Sequence, residues 1–181
     1  LNSELKVSLL TSAATHAFIA LGGNLGDSRA TVREAMQRLA AFSSPPLLRS
    51  SLWRSTPVDC PPGSPDFINA IVALTPLPHS TPESLLAELQ ALEREFGRRP
   101  KQVLNEARPL DLDLIAWGSE VRNTLTLTLP HPRAHLRRFV LQPLSELAPD
   151  LILPGQTHTV AELLASLRTE EVLERLPEPD A

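Results

Sequence analysis

Apolar residues recur along this chain with two periods. The two-residue period is clearest at Leu110-Asp111-Leu112-Asp113-Leu114, where leucines alternate with aspartates and predict a strand with one face in a core. Residues 17–21 and 67–74 are denser apolar runs expected as buried strands, and residues 47–53 read as another. Leu125, Leu127 and Leu129 alternate with threonines, which predicts a strand over residues 121–129. The helical period appears at Val32, Ala35, Met36, Leu39 and Phe42, behind a cap at Asp27 or Ser28, with Ser44-Pro45-Pro46 as the stop. It appears again at Leu85, Leu86, Leu89, Leu92 and Phe96. There Ser80-x-x-Glu83 reads as a capping box, Pro82 lies in the first turn, and Gly97 closes the helix. A short helical stretch around Phe139 breaks near Pro143, and Thr159-x-x-Glu162 caps a last helix to Leu167.

Strands and helices therefore come in a β-α-β-β-α-β order with an added hairpin. That order predicts an α+β fold: a layered α/β/α sandwich with a ferredoxin-like core and a mostly antiparallel sheet. Residues 16–168 are expected to form a single domain. Residues 1–15 are expected to be an N-terminal tail, disordered or trimmed, and residues 169–181 an acidic, frayed C-terminal tail. A domain of this size buries about 70% of its unfolded-chain surface.

Charge changes the picture locally rather than globally. The formal net charge of −4 gives no whole-chain argument for nucleic acid or an anionic membrane. Arginines nevertheless cluster on both sides of the Asp strand, with Arg94, Arg98, Arg99 and Arg108 before it and Arg133, Arg137 and Arg138 after it. A local basic patch in an acidic chain suits a small anionic ligand. The single cysteine, Cys60, rules out a disulfide framework and a thiolate metal site. It fits a reducing, cytoplasmic setting. No apolar run reaches membrane-spanning length.

The candidate chemistry starts from Asp111 and Asp113. On a strand their Cα atoms lie about 6.6 Å apart on one face. Side chains leaning together from there can share one hard cation or hold two at ~3.5–4 Å. A bare Asp-x-Asp is more commonly a solvated outer face, so its surroundings decide. Gly22-Gly23-Asn24-Leu25-Gly26-Asp27 is a tight strand-to-helix loop that lacks the lysine of a P-loop, and alone it reads as a structural turn. Asn69 is an amide inside an apolar run, either a core hydrogen-bond anchor or aimed at a ligand. Glu93 lies beside the apolar stripe of its helix and reads equally well as a surface charge near Arg94 and Arg98. Residues 98–109 form a basic loop without apolar period, the kind often used as a lid.

Taken in order, Gly22-Gly23-Asn24-Leu25-Gly26-Asp27, Phe67-Ile68-Asn69-Ala70, Arg108-x-x-Asp111-Leu112-Asp113 and Pro130-His131-Pro132-Arg133 with Arg137 and Phe139 resemble the 6-hydroxymethyl-7,8-dihydropterin pyrophosphokinases of folate biosynthesis. The resemblance runs from about Ala17 to Pro154. It implies transfer of a diphosphoryl group from ATP to the pterin hydroxymethyl, releasing AMP, with two Mg²⁺ ions. It implies that Asp111 and Asp113 ligate both ions, while Arg98 and Arg108 hold the ATP phosphates and offset charge during transfer. His131 and Arg137 would contact the nucleotide, with Leu114 and Thr128 near the adenosine and Glu93 nearby. Asn24, Thr56, Pro57 and Asn69 would form the polar part of the pterin site, and Phe67 and Phe139 would stack on the ring. The partners implied are ATP and reduced hydroxymethylpterin, with no nucleic acid and no membrane. A monomer, and association with neighbouring folate enzymes, both fit. Departures fall on the loop: Glu106-Ala107 replace a common Gly-Pro, Asn105 stands near a common tryptophan, and Pro100 replaces a basic residue in some members. Gly23 stands where members often carry serine.

Two other readings use the same residues. Another Mg²⁺-dependent phosphoryl transferase or hydrolase would use the Asp pair but form ADP or phosphate without pterin. A ferredoxin-like RNA-binding module would want aromatics and basic residues across the sheet, which the sequence does not offer.

Overall fold

The computed structural model describes residues 15–100 and 106–177. Its order is β1 (Ala17–Gly23), α1 (Ser28–Arg38), β2 (Ser43–Arg49), β3 (Trp53–Ser55), β4 (Phe67–Pro76), α2 (Pro82–Glu95), β5 (Asp111–Trp117), β6 (Arg122–Asn123), β7 (Thr128–Leu129), α3 (Arg138–Ser145), α4 (Val160–Ser166) and β8 (Leu173–Arg175). The main sheet runs β5-β1-β4-β3-β8, with β2 also on β4, and its paired strands are antiparallel.

Strand alternation builds three layers. Ile19, Leu21, Val72, Leu74, Leu112 and Leu114 point to the face covered by α1 and α2, where Val32, Met36, Leu85 and Leu89 meet them. Phe18, Ile71, Ala73 and Ile115 point to the other face, against Val140, Leu141 and Leu144 of α3 and Val160 of α4. The α+β sandwich therefore stands as expected. A register shift between Phe18 and Ile19 bends the β1–β5 pair beyond the Asp segment. Among the described residues, no helix is long and apolar enough to cross a membrane.

Five local expectations are corrected. The α2 capping box is Thr81 with Ser84, not Ser80 with Glu83. Pro82 has no N–H and a fixed φ, so it takes the first helical position and makes Thr81 the cap. Residues 47–53 are not one strand, because Ser50 turns the chain and bonds to Ile71 through both backbone and hydroxyl. Pro45 and Pro46 do not merely end a helix but sit within β2 at the sheet margin, where its register against β4 shifts. Residues 121–129 fold back as the β6–β7 hairpin, held where Thr124 bonds to Leu127, and leave Leu125 fully exposed.

The fifth concerns the segment from Thr169, read above as a frayed tail. It enters the sheet as β8, antiparallel to β3, with Glu171 and Leu176 buried. Three strand residues are too few to print a period in the sequence. The expected N-terminal tail, apart from Thr15, residues 101–105 of the basic loop, and the last four residues lie outside the described residues.

Candidate functional site

The floor of the site is three strands wide. Asn69 on β4 is in register with Gly22 on β1, and Gly22 with Asp111 on β5; two residues along, Ile71, Ala20 and Asp113 form the next row on that face. Alternation sends Asn69, Asp111 and Asp113 to the same face, beyond the end that α3 covers. Gly22 keeps the middle of the floor low, since a Cβ there would come within 3.3 Å of Asn69 Oδ1. Gly23 admits no side chain at all, because its Cβ would stand 2.4 Å from the Pro109 carbonyl oxygen. The glycine loop thus lets β1 run hard against the segment that carries Arg108.

Asn24 completes that junction. Its backbone N–H donates to the Arg108 carbonyl at 3.0 Å, its Oδ1 accepts the Arg108 N–H at 2.9 Å, and its Nδ2 donates to the Pro65 carbonyl at 3.1 Å. Asn24 fixes the backbone from which Arg108 extends and does not itself line the cleft.

Both oxygens of Asp111 are covered by guanidinium groups. Arg98 pairs with Oδ1 and Arg108 with Oδ2, the latter at 2.7 Å. Arg98 also pairs with Glu93, whose Oε1 accepts the Leu112 N–H at 2.7 Å. Glu93 is thus not a surface charge: it is 7% exposed and joins α2, the basic loop and β5. Burial raises its carboxyl above the usual range. Burial works against the Arg98 charge, yet Asp111 and Glu93 outweigh it and raise its pKa further. Asp113 is pushed up by burial and by the Asp111 charge beside it, against the pull of His131, Arg137 and Arg108. Burial holds the His131 pKa below its usual value against the pull of the nearby Asp113 charge, and its main-chain N–H donates to the Ile115 carbonyl at 2.8 Å.

The cleft over this floor is about 120 Å³, room for several waters. Asn69, Phe67, Ser55, Thr56, Phe139 and Arg137 line it together with both aspartates and Arg108. Each aromatic ring carries an arginine: Arg108 lies 5.7 Å from the Phe67 centroid and Arg137 lies 5.4 Å from that of Phe139. Asn69 Nδ2 donates to Ser55 Oγ at 2.8 Å, which fixes the amide's orientation. Burial and the nearby Arg133 charge lower the Arg137 pKa.

The remaining expected residues stand outside this lining. Arg98 lines the adjoining groove beneath the basic loop with Arg99 and Pro100. Leu114 is packed in the core on the opposite face of β5, beside Leu127 and Leu129, and Thr128 is exposed on β7 next to that cluster. Pro57 is half-buried beside Thr56. Sequence reasoning missed Ser55, Thr169 and Glu171. Ser55 had a signal, since it precedes Thr56 and pairs in register with Phe67, but only the structure supplies that register. Glu171 was hidden among the other acids of its segment.

A half-buried pair of carboxylates on one strand, arginines at both ends and two aromatic side chains in one cleft suit a phosphate-bearing ligand beside a flat polar ring. Comparison with known proteins gives the family. A family model described as 7,8-dihydro-6-hydroxymethylpterin-pyrophosphokinase (HPPK) matches residues 18–149, and the chain belongs to that family. It is 35% identical over 162 residues to the 2-amino-4-hydroxy-6-hydroxymethyldihydropteridine pyrophosphokinase of Haemophilus influenzae, covering 89% of this chain and 98% of that one. The Pseudomonas aeruginosa protein of the same name is 37% identical over 161 residues, with 88% and 96% covered. In fold the chain is similar to a Plasmodium falciparum HPPK-DHPS solved with pteroate, at TM-score 0.66 and 11% identity, over 84% of this chain and 44% of that longer one.

Proposed function

We propose that this chain transfers the diphosphoryl group of MgATP to 6-hydroxymethyl-7,8-dihydropterin, giving the pterin diphosphate and AMP in folate biosynthesis. The observation that carries this reading is the shared floor: Asp111, Asp113 and Asn69 stand on one sheet face, in one cleft, between Phe67 and Phe139. In the reaction the substrate hydroxymethyl oxygen attacks the β-phosphorus of ATP. The bond from that phosphorus to the α–β bridging oxygen breaks, AMP leaves with the electron pair, and the hydroxyl proton is lost. Such transfers depend on positioning and charge neutralisation more than on covalent chemistry.

The donor set fits Mg²⁺. Among the described residues no group of three His, Cys, Asp or Glu forms a protein-only cage. Mg²⁺ usually takes one or two carboxylates and completes its shell with phosphate and water, which Asp111 and Asp113 with ATP would supply. Two ions are the number we propose; Asp111 and Asp113 would hold them, and they would supply positive charge to offset that of the phosphates. The raised carboxyl of Asp113 beside Asp111 marks a place where added positive charge is favourable. Arg98 and Arg108, both paired with Asp111, would be the cations that hold the ATP phosphates. Arg137 and His131 frame the nucleotide side, Leu114 takes no part because it is packed in the core on the far face of β5, and Glu93 keeps Arg98 in reach. Asn69, oriented by Ser55, reads the polar edge of the pterin with Thr56 and Pro57, and Phe67 and Phe139 bind its faces. The substrates suit a cytoplasmic enzyme, and the two-enzyme chains make a second folate enzyme the partner class to test for association.

Product analysis with Mg²⁺, ATP and reduced hydroxymethylpterin tests the reading. AMP should form only when pterin is present, and Asp111→Ala and Asp113→Ala should each lose activity by about 10³-fold or more. ADP or phosphate released without pterin, or full activity in both variants, overturns it.

A further inference from the structure

The C-terminal segment touches both walls of the pterin half of the cleft. On one side, Thr56 N–H donates to the Val172 carbonyl and Val172 N–H donates to Thr56 Oγ1, each at 3.2 Å. On the other, Glu171 Oε2 accepts the backbone N–H of Arg138, 33 residues earlier, at 3.1 Å. Arg138 is the first residue of α3. Arg137, at the cap position, supplies no side-chain acceptor for the helix. The cap therefore comes from outside the helix, and as a carboxylate it also suits the positive end of the helix dipole.

The placement is costly enough to need a reason. Glu171 is 6% exposed, and its Oε1 is sealed from solvent with no donor among the described residues. Thr169 and Glu171 both line the cleft, and Thr169 Oγ1 accepts the Glu171 N–H at 3.1 Å, which sets the turn between them. The other end of α3 is fixed separately, where Glu146 accepts from Ser51 N–H at 2.8 Å and from Trp53 Nε1 at 2.7 Å. Glu171 acts at the N-terminal turn, which carries Phe139 and follows Arg137.

We propose that Glu171 is a positioning residue for the pterin: by capping α3 across the cleft it fixes Phe139 against the wall formed by Ser55 and Thr56. The proposal rests on the pterin reading above. Its strap, residues 169–173, sets the spacing into which the flat ring fits.

The test titrates pterin against the 181-residue chain with Mg²⁺ and a non-hydrolysable ATP analogue, and measures KM and kcat alongside. Amide exchange at Arg138 and Phe139 reports on the cap itself. Glu171→Ala should weaken pterin binding and raise its KM about tenfold, leave kcat at saturation within about twofold, and speed both amides. Glu171→Gln keeps an acceptor and should restore the parent KM. Glu171→Asp, one methylene short, should fall between. Faster amide exchange with unchanged pterin affinity means a merely structural cap and overturns the proposal. If Glu171→Ala does not fold, Glu171→Asp decides, and parent-like pterin affinity in that variant overturns it equally. A parent chain that neither binds pterin nor forms AMP refutes the functional reading itself, and is told apart from the first failure by the parent assay alone.

Discussion

The two ends of the cleft are held by different forces. At the carboxylate end, Asp111 is neutralised by Arg98 and Arg108, and Arg98 is shared with Glu93. At the aromatic end, Phe67 stands on a strand tied to the C-terminal segment by pairing through β3, and Phe139 on a helix whose first N–H donates to the Glu171 carboxylate of that segment. Ion pairs between mobile side chains can exchange partners when phosphate and metal arrive. Backbone ladders cannot do so without local unfolding. On the proposed function, the charged end is therefore the one its ligand would rearrange, and the aromatic end, held on one side by strand pairing, the one set before its ligand comes.

The sharpest way to break that contrast is Arg108→Ala. If Arg108 leaves Asp111 to stabilise charge that develops only during transfer, kcat should fall by about 10²–10³-fold while nucleotide affinity changes little. Steady-state kinetics with direct nucleotide titration separates the two. Equal losses in both would make Arg108 an ordinary ground-state contact, and the carboxylate end would be no more rearrangeable than the other.

Asn69→Ala addresses the aromatic end. It removes an amide that Ser55 holds in place and leaves the Ser55 hydroxyl without that donor. Pterin KM should rise about tenfold, as expected for one lost buried hydrogen bond, with nucleotide KM unchanged. A parallel rise in nucleotide KM would show that the two ends are not separable.

The difference between the ends also explains what the sequence disclosed. The Asp strand announced itself because five residues of strict alternation encode a strand, a face and a charge at once. Its partner β1, and β4 beyond it, were legible as apolar runs, and with them the layered sandwich. Glu93 was ambiguous, since a helix residue beside an apolar stripe becomes buried only if the next strand offers an N–H, and Leu112 lies 19 residues on. The α2 cap was misplaced by one residue because Ser80 and Thr81 are chemically alike and only Pro82 decides between them. Glu171 and β8 were invisible: one buried acid among exposed ones carries no pattern, and its partners at Thr56 and Arg138 are set by tertiary structure. Side-chain chemistry that clusters in sequence was readable, and backbone closure between distant segments was not.

The smallest expected effect concerns stability and pH. Burial raises the Glu171 carboxyl from 4.5 to about 6, against the opposing pull of the Phe139 and Arg138 backbone N–H groups and of the Arg138 and Arg137 charges. Because the folded value lies above the unfolded one, the folded state binds more protons between those values. Unfolding free energy therefore falls as pH rises from about 4.5 to about 6, by up to ~2 kcal/mol, and this contribution is constant above that window. Glu171→Gln resembles the protonated acid at every pH. Urea midpoints should accordingly place the variant about 1–2 kcal/mol above the parent at pH 7.5, with the gap closing near pH 4.5. A variant less stable than the parent at pH 7.5 would mean that the carboxylate's bond to Arg138 outweighs its burial. The aromatic end would then be held by charge as well, and the contrast with the Asp111 end would narrow to one of degree.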